Sequence, residues 1–90
     1  MSTFRVPYPK EPERRQALFD RALQKIAPMG RCQGTPESGW FEAKTPFGSF
    51  AGDYRTIDET GEIEFQILKK PFLVPLALIE SEAKRFATQA

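Results

Sequence analysis

Cys32 is the one thiol in a chain of 90 residues, and no histidine accompanies it. Without imidazole the commonest general base and the commonest metal ligand are missing. Ser-His and Cys-His nucleophile pairs cannot be assembled. Arg31 beside Cys32 would lower the pKa of an exposed thiol, but a small apolar residue at a strand start is the plainer reading. Glu62 and Glu64 stand two apart, the spacing that puts both on one face of a strand, and Glu42 and Asp53 could join them. Paired carboxylates of this kind do acid–base work or hold a hard cation. Interleaved Lys44 and Arg55 make them read more simply as the wet face of a half-buried sheet. No CxxC, HExxH, GxSxG, P-loop or GxGxxG spacing occurs. The residues therefore point away from an enzyme and call for no cofactor.

The basic residues are many but diluted. Arg14, Arg15, Arg21 and Lys25, with Lys69, Lys70, Lys84 and Arg85, are candidate basic patches. Thirteen Lys and Arg are nonetheless balanced by twelve Asp and Glu, for a net charge of +1. A field this weak argues against a nucleic-acid partner. The most unusual stretch runs from Lys69 to Ile79. Two lysines precede Pro71-Phe72-Leu73-Val74-Pro75-Leu76-Ala77-Leu78-Ile79. This junction either caps a thin core or forms an exposed apolar patch with a basic rim. In the second case it would suit an apolar ligand, a granule or membrane surface, or a protein partner. The candidate binding residues are Trp40, Lys69, Lys70, Phe72, Leu73, Val74, Leu76 and Leu78.

The elements that would position these residues follow from periodicity. Phe4, Val6 and Tyr8 alternate with Arg5 and Pro7. Pro7 cannot donate to a ladder, so an edge strand or an extended arm is expected. Pro12 suits the first position of a helix, and Glu11 and Glu13 the positive end of its dipole. Leu18, Phe19, Ala22, Leu23 and Ile26 form one apolar stripe, which Pro28 and Gly30 terminate. Turns are expected at Pro36–Gly39, Thr45–Gly48 and Asp58–Gly61. The strands between them span 40–45, 49–57 and 62–69, with a short strand at 31–35, and connections so tight make an antiparallel meander. Ile63, Phe65 and Ile67 alternate with Glu62, Glu64 and Gln66. A four-residue third turn sets Ile57 opposite Glu62, puts Phe50, Gly52, Tyr54 and Thr56 on the face of Ile63, and sets Arg55 opposite Glu64. A three-residue loop with a bulge would shift the pairing by one, and the first register is preferred because it keeps the aromatics together. Whether Trp40 or Phe41 faces inward stays open. A last helix is expected from about Pro75 to Ala87, with Phe72, Leu76, Ile79, Ala83 and Phe86 in one seam.

Together these predict a single α+β domain: an antiparallel sheet of three to five strands with an N-terminal and a C-terminal helix on one face. Its core must be thin at this size. A single cysteine fits a reducing, cytoplasmic setting. The N-terminus shows no signal-peptide core, and no apolar run reaches the length of a transmembrane helix.

The order of pieces resembles the small polyhydroxyalkanoic acid system (granule-region) proteins. The pieces are Phe4-Arg5-Val6, the helix 13–27, Trp40-Phe41-Glu42, Phe47-Gly48-Ser49-Phe50-Ala51-Gly52, Glu62 to Leu68, and Phe72 to Glu80 with its Ile79-Glu80. Where that family often has a histidine, this chain has Tyr8-Pro9-Lys10. The resemblance implies an association with storage-polymer granules. The layout is also similar to a reduced helix-grip (START-like) domain, which implies an apolar ligand between sheet and helix. At 90 residues a shallow groove is expected there. The function expected from the sequence is a non-enzymatic binding domain acting through the 68–79 junction. The alternative is a structural homodimer or protein-interaction subunit.

Overall fold

The structure, a computed structural model, describes residues 2–88. The chain runs β1 (Ser2–Pro7), α1 (Pro12–Ile26), β2 (Gly30–Gly34), β3 (Ser38–Thr45), β4 (Gly48–Ile57), β5 (Glu62–Lys69) and α2 (Leu76–Thr88). The five strands form one sheet in the order β1-β5-β4-β3-β2, antiparallel throughout. Strands β2 to β5 are the expected meander. β1 returns to pair with β5, so the proline-bearing strand lies at an edge where a missing donor costs nothing.

Turn chemistry and alternation set the register. Ile57 opposes Glu62 and Arg55 opposes Glu64, as the four-residue turn requires. Arg55 Nε donates to Glu64 Oε1 at 3.0 Å, and Arg5 Nε from β1 reaches Oε2 at 3.1 Å. One carboxylate thus bridges three strands on the outer face. The pairing shifts between Ala51 and Gly52, where Leu68 is an extra residue on β5. A Cβ on Gly52 would stand 2.9 Å from Phe41 Cζ, so the glycine makes room for that ring. Phe41 faces inward and Trp40 outward, where Arg31 lies 5.9 Å from the indole centroid.

Both helices cover the same face of the sheet. The core is Phe4, Val6, Tyr54, Ile63 and Ile67; Phe19 from α1 and Leu76, Ile79, Ala83 and Ala87 from α2 pack against it. Phe65 sits among three rings, with its centroid 5.3 Å from Phe4, 6.4 Å from Phe41 and 6.3 Å from Tyr54. α1 lies along β2 and α2 along β1, at opposite edges of the sheet.

Two sequence expectations change. Phe72 is not part of the α2 seam. It is 94% exposed in the turn before the helix, because Pro71 and Pro75 stop helical geometry from extending back to it. Arg15 is not part of a basic surface. It is 6% exposed, three residues before Leu18 and therefore on the inward side of α1.

Candidate functional site

Because the helices sit over opposite edges, the middle of the sheet's apolar face is left between them. The result is a cleft of about 460 Å³, within the roughly 300–1,000 Å³ of small-molecule sites. Phe41, Ala43, Phe50 and Phe65 from the sheet form its floor, and Phe19, Ala22 and Ile26 of α1 face Ile79, Ala83 and Phe86 of α2 across it. It reaches from Tyr8 and Tyr54 near one end of the strands to Met29 and Thr45 near the other. Lys25 and Glu82 are the charged groups among the described residues that line it. The helices meet at a latch: Arg21 and Lys25 of α1 hold their cations 5.3 Å and 5.5 Å from the centroid of the Phe86 ring of α2. Cation–π contacts of this kind are worth about 0.5–1 kcal/mol when exposed.

A polar clasp closes one end. Arg15 Nε donates to Pro9 O at 2.6 Å, its Nη2 meets Asp58 Oδ1 at 2.8 Å, and its Nη1 lies 3.8 Å from Glu37. Its guanidinium also stands 5.2 Å from the Tyr8 ring centroid. Tyr8 donates to Pro36 O and Tyr54 to Thr35 O, both at 2.8 Å. Burial raises both phenol pKa values; Tyr8 is pushed up to about 12 despite the opposing pull of Arg15. The signal for this clasp was Arg15 itself, a cation three and four residues before Leu18 and Phe19 on the apolar stripe.

The chemical candidates do not converge. Cys32 points inward with its Sγ 4.0 Å from Tyr54 Oη, and burial raises its pKa. Arg31 points the other way, to Glu42 at 2.8 Å, so it cannot activate the thiol. Hydrogen bonds from Arg5 and Arg55 lower the Glu64 pKa. This is the reverse of the shift that makes a carboxyl a general acid near neutrality. Among the described residues no group of three or more Cys, Asp or Glu is placed to hold a metal ion.

The candidate binding residues divide into three places. Trp40 lies on the outer face, away from the rest. Leu76 packs on the core, and Val74 is half-buried at the turn, where its carbonyl accepts from Lys70 Nζ at 2.8 Å. Phe72, Leu73, Leu78 and Lys69 are exposed. None of the eight lines the cleft. No helix among the described residues is long and apolar enough to cross a membrane. No family model, curated protein or solved structure matches the chain.

Proposed function

We propose that the chain is a non-catalytic binding module that takes an elongated apolar ligand into the cleft between its sheet and its helices. The observation that carries this is the lining: a groove of about 460 Å³ lined mostly by aromatic and aliphatic side chains from all five strands and both helices, with Lys25 and Glu82 the charged groups among the described residues. Such surface is costly to leave in water, and an apolar chain laid along it would remove it from solvent. Lys25 and Glu82 belong to the two helices that border the groove, so the polar head of an amphiphile can be held there. The arginine partners of Glu42 and Glu64, and the inward Cys32 thiol whose pKa burial raises, support a binding role over catalysis. The likeness in layout to granule-region proteins makes short polyester chains, alongside fatty acids, a sensible ligand class.

The test is fluorescence of ANS with the folded chain, followed by displacement with palmitate or a hydroxyalkanoate oligomer. Saturable binding and displacement are expected. In Ala83→Trp the indole occupies the groove, so binding should be lost while circular dichroism stays native. Absence of ANS binding, or unchanged binding by a folded Ala83→Trp, would remove the proposal.

A further inference from the structure

Two connections come together at the end of the sheet opposite the Arg15 clasp. One is the β3–β4 turn and the other the β5–α2 junction. Gly48 has a φ of +134°, and a Cβ placed on it would lie 3.0 Å from Pro71 Cγ. Beyond this contact project the most exposed apolar side chains of the described residues: Phe47 at 80%, Phe72 and, at 87%, Leu73. Lys44 pairs across to Ser49 and Lys69 to Ala51, so both lysines lie in the strand rows next to the loops. Neither Lys44–Gly48 nor Lys69–Ile79 contains a carboxylate, and Glu42 on the adjoining strand is engaged by Arg31. The opposite end carries Glu59 and Glu62, together with Glu37 and Asp58, which Arg15 engages, and Lys10 beside Gly61.

We propose that this end docks on an anionic phospholipid surface, with Phe47, Phe72 and Leu73 inserted among the headgroups and Lys44 and Lys69 against the lipid anions. At exposures of 80%, 94% and 87%, Phe47, Phe72 and Leu73 each project nearly clear of their neighbours. Packing into a protein interface needs a continuous surface, whereas insertion to the headgroup–acyl boundary, about 5–10 Å deep, needs apolar projections. The charge distribution matches: the end with Lys44 and Lys69 has no carboxylate in its two connections, whereas Glu59 and Glu62 lie at the far end, an arrangement that orients the approach. Docking does not depend on the cleft, but it would bring the Met29–Thr45 end of the cleft to the lipid.

The experiment is sedimentation of the full chain with vesicles of phosphatidylcholine alone and of phosphatidylcholine mixed with phosphatidylserine. Binding to the mixed vesicles is expected, weakening as salt is raised. Lys44→Gln and Lys69→Gln should each lower the affinity roughly fivefold. The double variant Phe72→Ser with Leu73→Ser should lose at least tenfold, and its exposed positions leave folding intact, which circular dichroism checks. No binding to mixed vesicles overturns the proposal, as does a double variant that binds like the parent. A dimeric mass in light scattering that falls to a monomer in the double variant would also overturn it, giving the surface to a second copy of the chain.

Discussion

At one end of the sheet a single guanidinium holds three connections: the 8–11 segment through Pro9, the 35–37 turn through Glu37 and the β4–β5 turn through Asp58. At the other end two connections touch through Gly48 and Pro71, and beyond that contact large apolar side chains stand in solvent. The first end spends its polar groups on one another. The second leaves Lys44, Lys69 and three apolar side chains uncommitted to the fold. Residues that hold the domain together and residues available to a partner are thus separated along the strands, with the apolar cleft running between them.

This contrast can be broken most severely at Arg15. Arg15→Ala removes a buried guanidinium with charge-assisted bonds and leaves Pro9 O without its donor. We expect a loss of about 2–3 kcal/mol, read as a lower urea midpoint. Arg15→Lys should recover part of it, because the charge survives but the fork does not. The tyrosines of the same clasp supply a pH signature. Tyr8 titrates near 12 against an ordinary value of 10.0, and Tyr54 is raised as well. A raised folded pKa means that the stabilisation is complete below the unfolded value and is lost as pH climbs from about 10 toward 12. Phenolate absorbance should therefore rise late and in step with alkaline unfolding. Tyr8→Phe, which removes only the bond to Pro36 O, should cost about 1 kcal/mol in thermal melts.

The outer face gives a smaller effect of opposite sign. Glu64 is held below the ordinary carboxylate range by Arg5 and Arg55. Its contribution is present above the unfolded value near 4.5 and is lost as pH falls through the lower folded value. Glu64→Gln should flatten that part of the acid-unfolding curve. The smallest change in stability belongs to the opposite end. Phe72→Ser should alter it by no more than about 0.5 kcal/mol, while vesicle binding falls.

The strands were readable because alternation and turn residues act locally. Ile63, Phe65 and Ile67 could face only one way together, and Asp58–Gly61 then fixed Arg55 against Glu64. What lay outside local pattern was missed. Arg15 looked like surface because charge is normally solvated, and its burial is compensated by groups 6, 22 and 43 residues away in sequence. Phe72 fitted the helical period, yet proline geometry on either side overrode the period. The choice between Trp40 and Phe41 turned on the β3–β4 register and on the space above Gly52. The cleft had no sequence signature, because its width depends on α1 lying over β2 and α2 over β1. Of the 68–79 stretch singled out in the sequence, Ile79 alone is among the residues that line the cleft.

The most direct test of the central proposal is amide chemical-shift mapping of the full chain titrated with palmitate. Saturable shifts at Phe41, Ala43, Phe50, Phe65 and Ala83, with Trp40 unmoved on the outer face, are the predicted result. Shifts confined to Phe72 and Leu73, or spread over the outer face, would contradict a ligand in the cleft.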